Sequence, residues 1–311
     1  MALGKSIQIY LSDGTVNGIR HGQITNWTGQ AISCSRARFA DLKDWPEIKR
    51  PGVYLLFGLD EESGADAAYI GEAEHVLDRL TAHLSGKEFW SEVIVFTSKD
   101  DYLTKAHVKF LEARLVQQAG QAGRYQLKNT VNPALPSLSK ADRDAMEDYA
   151  QNIRTLIGVL GHRILEPKVA AKASVALHSV PSANVAQHVA APVKAGELQT
   201  QFSLKVSGLA ASALRTDEGI VVLAGSSFAG SAQPSLSSGY LAMRETLISQ
   251  NVVVPANGQS NFQFAKDHVF PSPSQAAAVI VGYPVNGREV WKTPDGQTWR
   301  SVEEKSFSAT N

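Results

Sequence analysis

The alternating apolar and polar positions of Ser6-Ile7-Gln8-Ile9-Tyr10-Leu11 predict a strand that runs into a turn at Asp13-Gly14. Asn17-Gly18 supplies a second turn, and Gln23 to Thr28 reads as another short strand. Residues 1–45 are therefore expected to form an N-terminal β extension, closed by the punctuation from Asp44-Trp45-Pro46 to Arg50-Pro51. The run Gly52-Val53-Tyr54-Leu55-Leu56-Phe57-Gly58 is rich in strand formers, and Ala67-Ala68-Tyr69-Ile70-Gly71 returns after an acidic loop. Together they predict an antiparallel hairpin with a long tip. Val76, Leu80 and His83 follow at helical spacing with Leu77 and Leu84 beside them, and Trp90 to Thr97 reads as a third strand on its β-branched and aromatic content. Val108, Leu111 and Leu115 mark a second helix from about Thr104 to Gln118, with Asp100 or Asp101 as its cap. A third helix is expected from about Lys140 to Leu160.

Periodicity is lost from Glu166 to about Gln199, where Ala, Val, Pro, Ser and His dominate and aromatic residues are absent. Residues 166–200 are expected to be a flexible linker. Beyond it, Phe202 to Val206 and Gly219 to Ala224 read as strands, and a helix is expected over Ser237 to Gln250. Short strands or turns follow near Val252 to Val254 and Phe262 to Phe264, then a helix over Ser274 to Val281 after Pro273. Asn286-Gly287 and Asp295-Gly296 suggest a closing hairpin that carries Trp291 and Trp299. The expected class is α+β: a small domain at 46–165 with an antiparallel three-stranded sheet flanked by helices, then a second small α+β domain at 201–311. A length of 311 residues suits two such domains.

The charge is balanced, 30 Lys plus Arg against 30 Asp plus Glu. That argues against tight non-specific nucleic-acid binding driven by counterion release, and it leaves room for a local basic groove. Cys34 is the only cysteine, so no internal disulfide forms and no zinc-like ligand set accompanies it. It is expected to be a small apolar filler. With no signal-peptide pattern and no apolar run of membrane-spanning length, a reducing, cytoplasmic setting without membrane contact is expected.

Gly52-Val53-Tyr54, Tyr69-Ile70-Gly71, Arg79, Glu112 and Asn129 follow one another in the order of the motif set of GIY-YIG nucleases, and the segment of roughly residues 50–135 resembles that family. Each element falls on the predicted type of secondary structure. The resemblance implies a single divalent metal ion, Mg²⁺ or Mn²⁺, held by Glu112. It further implies that a phenol, Tyr54 before Tyr69, takes the proton from the attacking water while the other positions or relays. Asn129 is then a hydrogen-bonding support, with Asn132 as its rival. Glu72 is set aside, because relatives carry a neutral polar residue there. The C-terminal Ser272-Pro273-Ser274-Gln275-Ala276-Ala277-Ala278, with Asn286-Gly287 and Trp291, resembles a domain of unknown function, DUF4357, that often stands behind such nucleases.

Physical reasoning supports the same residues. Phosphodiester hydrolysis needs an activated water and neutralisation of the charge that builds on phosphate. The Arg79 fork matches a phosphate, and Arg79 and His83, four apart, share a helix face. Taken singly, a strand tyrosine is ordinarily a packing residue, a helical Glu or Arg is ordinarily solvated, and His83 is ordinarily a packed histidine. The joint, ordered occurrence singles out Tyr54, Tyr69, Arg79 and Glu112, and to a lesser degree Asn129 and His83. Lys105, Lys109 and Lys128 are candidates to touch a DNA backbone. The expected activity is endonucleolytic hydrolysis of DNA, double-stranded in the first instance, with a role in restriction, phage defence or repair. Double-strand cutting by a one-site domain calls for two successive nicks or a homodimer. Two other readings stay open: a catalytically silent nucleic-acid-binding or regulatory protein on the same scaffold, and an assembly factor that binds protein through the C-terminal domain.

Overall fold

The computed structural model describes residues 4–60, 64–167, 200–216, 219–256 and 261–308. Seven strands of the N-terminal half form one sheet: β1 (Ile7–Leu11), β2 (Arg20–Ile24), β3 (Gly29–Ser35), β4 (Gly52–Leu59), β5 (Asp66–Ala73), β6 (Trp90–Ser98) and β7 (Gln126–Leu127). Their order is β1-β2-β3-β6-β4-β5-β7. All pairings are antiparallel except that of β5 with β7.

The expected three-stranded sheet is therefore only the middle of a larger one. β6 pairs with β4 along one edge and with β3 along the other, from Gly29 opposite Ser98 to Ser35 opposite Glu92. A bare β6 edge would leave a row of unpaired backbone donors and acceptors in the middle of the domain, and β3 takes them. Residues 1–45 thus contribute three strands to the same sheet. The strand expected at Gln23 to Thr28 instead ends at Ile24, and a turn with Asn26 at φ 64° leads into β3. β3 is buried on both faces, so its sequence shows no alternation to read.

Both sheet faces are covered by helices. Val53, Leu55, Ile70 and Phe96 pack under α2 (Lys105–Ala122) and α3 (Lys140–Val159). Tyr54, Leu56 and Val95 pack under α1 (Val76–Gly86) and two 3-10 turns, Arg36–Asp44 and Pro46–Lys49. Two covered faces explain why β4 reads as a continuous apolar run. Thr104, not Asp100 or Asp101, caps α2: its hydroxyl accepts from His107 N, and His107 Nδ1 accepts from Thr104 N. Gly123 ends the helix at φ 60°. Cys34 is fully buried in the α1-side core, as its filler role requires.

The second half contains β8 (Gln201–Val206), β9 (Leu209–Thr216), β10 (Gly219–Val222), β11 (Ser227–Phe228), α4 (Ser238–Ser249), β12 (Val253–Pro255), β13 (Phe262–Phe264), β14 (His268–Phe270), α5 (Pro273–Val281), α6 (Gly287–Val290), β15 (Trp291–Lys292) and α7 (Trp299–Ser308). A five-stranded sheet runs β14-β10-β9-β8-β15, and a three-stranded one runs β11-β13-β12. α5 carries an unbroken buried run from Gln275 to Val281 at the centre of this core. The closing hairpin expected after Asn286 is reduced to its tip: Asp295-Gly296 makes a tight turn with Lys292 paired to Thr298, but Asn286-Gly287 makes no second turn of a hairpin. Asn286 caps α6 by accepting from Arg288 N, β15 pairs with β8, and Trp299 opens α7. Burial decides this: Trp291 and Trp299 both insert into the core, which a surface hairpin could not achieve. The linker expected at 166–200 falls on residues 168–199, outside the described residues. No described helix is long and apolar enough to cross a membrane.

Candidate active site

β4 and β5 bring the two tyrosines together. Tyr54 lies opposite Gly71 and Tyr69 opposite Leu56, so the phenols stand diagonally across the hairpin, with ring centroids 6.2 Å apart. Gly71 makes this possible. A methyl group there would come within 2.4 Å of the Tyr54 hydroxyl oxygen and 3.0 Å of the Tyr69 ring. The Tyr54 phenol therefore lies across the bare backbone of Gly71. Gly71→Ala is expected to push the phenol out of place and to destabilise the fold by about 1–3 kcal/mol, read as a loss in denaturant midpoint together with a change in tyrosine fluorescence.

α1 lays its polar side over this hairpin. His83 is buried, its Nε2 hydrogen-bonded to the Tyr54 hydroxyl at 2.7 Å, and its ring sits 5.3 Å from that of Tyr69. Burial, followed by the positive charges of Arg79 and Lys87, pushes the His83 pKa down to about 4, so the imidazole is neutral at pH 7. Burial pushes the Tyr54 phenol well above its ordinary value, and Tyr69 adds to this while Arg79 opposes it. Arg79 is exposed, stands beside both phenols, and has no carboxylate partner among the described residues. Its charge favours the phenolate form of Tyr54.

Lys87 also belongs to this site and was not singled out by the sequence reading. Its ammonium lies 3.9 Å over the Tyr69 ring, and burial, then Arg79, lowers its pKa. Arg79 and His83 share one face of α1, and Lys87 follows at its C-cap, one further basic position that a reading of the helix end could have flagged.

Glu112 comes from α2, on the opposite face of the sheet from the phenols. Its carboxyl makes no hydrogen bond or ion pair to the described residues. Burial and, next, the facing charge of Glu72 push its pKa up to about 7, against the pull of Arg79 and Lys109. Glu72, set aside on the sequence, thus stands close enough to Glu112 to oppose its ionisation. A partnerless, partly buried carboxylate facing a second one fits a cation, which would relieve their repulsion. Among the described residues no group of three or more His, Cys, Asp or Glu side chains forms a metal-binding cluster.

Asn129 holds the strand between the two motif residues. Its side-chain oxygen accepts from Ile70 N at 3.1 Å and its amide donates to Ile70 O at 2.7 Å. It behaves as one more rung of the sheet at the point where β7 has ended. Ile70 is fully buried, so Asn129→Ala leaves two backbone groups without partners. A stability loss of about 2–3 kcal/mol is expected in urea unfolding, with Asn132→Ala near neutral. Of the three lysines suggested for DNA contact, Lys105 pairs with Glu74 at 2.6 Å and Lys128 pairs with Asp60, while Lys109 is exposed.

The two halves meet through charge. Arg36, from the 3-10 turn after β3, donates to Leu84 O at 2.6 Å and Lys87 O at 2.9 Å, and so caps the carboxyl end of α1. It stacks over Trp90 at 4.5 Å and pairs with Glu303 of α7 at 3.0 Å. Arg288 binds Glu303 at 2.5 Å and Glu88 at 3.0 Å, and Arg300 also reaches Glu88 at 2.7 Å.

Residues 202–303 match the family model of DUF4357, a domain of unknown function. The DUF4357 domain thus supplies Arg288, Arg300 and Glu303 to the contact between the halves, while the tyrosine cluster lies ahead of the matched residues. No curated protein and no solved structure matches the chain.

Proposed function

We propose that the N-terminal half is a metal-dependent endonuclease of the GIY-YIG type that hydrolyses DNA phosphodiester bonds. The observation that carries this reading is the meeting, around Gly71, of two phenols, a neutral histidine and a carboxylate-free arginine. A partnerless Glu112 completes the set. In this reading Glu112 holds one Mg²⁺ or Mn²⁺, with Glu72 adding negative charge nearby. The ion supplies charge neutralisation on the phosphate when bound.

The remaining steps belong to the protein's own side chains. Arg79, exposed and rigidly charged, clamps a phosphate oxygen and opposes the negative charge that grows in the transition state. Tyr54 receives the proton of the attacking water as its own hydroxyl proton passes to Nε2 of His83, which is neutral and able to accept. Arg79 favours the phenolate at that moment, against the burial that otherwise disfavours it. Lys87, over the Tyr69 ring, adds a second cation at the rim. The DUF4357 domain braces α1, the helix that presents Arg79 and His83.

The test is purified protein on supercoiled plasmid with Mg²⁺ or Mn²⁺. Nicking or linearisation is expected from the wild type and not from Glu112→Ala or Arg79→Ala. Equal traces from all three, or a gel shift that EDTA leaves unchanged with no cut product, sinks the enzymatic reading. The latter result favours a silent binder.

The pH dependence has a fixed sign. Glu112 is protonated below about pH 7, so Mn²⁺ affinity is expected to fall by up to about tenfold per pH unit below that value. Isothermal titration between pH 5.5 and 8 measures it, and a flat profile removes Glu112 as the ligand.

A further inference from the structure

We infer that Lys87 is a second phosphate-binding residue, which takes the backbone phosphate next to the one that Arg79 clamps. The inference rests on the nuclease reading and narrows it: the substrate is a polynucleotide strand cut internally, with a charged neighbour beside the reacting phosphate. Lys87 lies outside the motif residues, as the C-cap of α1. Both of its backbone groups are engaged: its N–H donates to His83 O at 3.0 Å, and its carbonyl accepts from Arg36 Nη1 at 2.9 Å. The ammonium is not. It lies 3.9 Å over the Tyr69 ring and makes no hydrogen bond or ion pair to the described residues. The next carboxylate along the chain, Glu88, is taken by Arg288 and Arg300. Burial, and then the like charge of Arg79, lower the Lys87 pKa.

A surface lysine ordinarily carries its ammonium out into water. Lys87 instead holds it partly buried, near a second cation that also lacks a carboxylate. Two such cations on one rim leave the site short of negative charge, and an anion relieves the repulsion between them. They address different parts of Tyr69: Arg79 stands at the hydroxyl and Lys87 over the ring face. Eight residues apart, their Cα atoms are separated by about 12 Å along the helix. That spread suits successive phosphates of one strand better than the oxygens of a single one, and a DNA strand supplies charges at short, regular intervals. A lysine meets a phosphate as a point charge, tolerant of the angle at which the strand arrives, whereas the Arg79 fork fixes the reacting group. Arg36 holds the Lys87 carbonyl and pairs with Glu303, so the DUF4357 domain fixes where the second phosphate is met.

The experiment measures binding of a short fluorescein-labelled DNA duplex by the full chain in EDTA, where no cut competes, over a range of salt concentrations. Lys87→Gln is expected to lower the slope of log affinity against log salt by about one. Lys87→Arg is expected to keep the wild-type slope, and so is Lys205→Gln, which removes the same charge from an exposed position on β8. In cleavage with Mg²⁺, Lys87→Gln is expected to raise KM with kcat little changed, whereas Arg79→Gln lowers kcat. The substitution keeps both backbone bonds of residue 87, circular dichroism checks the fold of each variant, and Lys87→Met serves as a second neutral variant. An unchanged slope in Lys87→Gln overturns the inference, while cleavage by the wild type leaves the nuclease reading standing. A kcat as low as that of Arg79→Gln, with KM unmoved, places Lys87 on the reacting phosphate and overturns it too. Neither binding nor cleavage by the wild type overturns the nuclease reading, and this inference with it.

Discussion

Glu112→Gln is expected to yield a protein that is inactive in cleavage and more stable than the wild type at pH 8. The carboxyl is pushed from its ordinary value up to about 7 by burial and by Glu72, so the folded protein favours the neutral form. A raised carboxyl pKa gives stability that is complete below the unfolded value and is lost as pH rises through the folded one. Glutamine stays neutral at every pH. The variant should therefore gain at most about 3 kcal/mol at pH 8 in metal-free buffer and nothing at pH 4. Divalent metal should reverse the order, stabilising the wild type and leaving the variant unmoved. Cleavage should fall by about 10³ or more if Glu112 holds the ion. Thermal melts at the two pH values, with and without Mn²⁺, separate these effects. Identical melting at both pH values would show that Glu112 carries no strained charge.

Glu303→Ala is expected to be the most damaging single change in the second half. Glu303 is almost fully buried, and it neutralises both Arg36 and Arg288, which are themselves buried. Burial alone would raise its pKa, but Arg36 and Arg288 together outweigh this and hold it below the ordinary carboxylate range. Removing it strands Arg36 in low dielectric and leaves Arg288 with Glu88 alone, a loss of about 3–5 kcal/mol. Its depressed pKa also means that the stability it contributes is present above the unfolded value and fades as pH falls through the folded one. The effect should reach the first half, because Arg36 caps α1. Hydrogen exchange at the end of α1 should accelerate in Glu303→Ala, and a cycle with Arg36→Met should show less than additive loss. Additive losses, or unchanged exchange in α1, would leave the two halves mechanically independent.

Much of the first half was legible. Strong periodicity gave α1, α2 and α3 to within a few residues, even though the cap expected for α2 was misplaced, and the two tyrosine strands paired as their order implied. β3 was not legible, because Gly29-Gln30-Ala31-Ile32-Ser33-Cys34-Ser35 is small, mixed and buried on both faces, so no pattern of period two survives. The same two-sided burial hid the size of the sheet. At the site, spacing along α1 placed Arg79 beside His83, but the hydrogen bond to Tyr54 joins residues 29 apart and needs the fold. Glu72 looked unpromising in isolation, since its effect on Glu112 crosses from a strand to a helix. The C-terminal hairpin was legible only at its tip: Asp295-Gly296 makes the turn its residues signal, whereas Asn286-Gly287 opens α6, where burial of Trp291 and Trp299 outweighs local turn preference. Gly287 is required there by packing, since a side chain would collide with Pro273 O at 2.0 Å.

Arg36 and Glu303 are 267 residues apart in the chain. During synthesis at about 5–20 residues per second, the first half leaves the ribosome and can fold some tens of seconds before α7 exists. Throughout that interval Arg36 is a cation without its carboxylate, and the end of α1 is held by a cap that is itself unsecured. A nascent or truncated chain lacking α7 thus presents Arg79 and His83 on a loosened helix, and the site tightens only once α7 has been made and has docked.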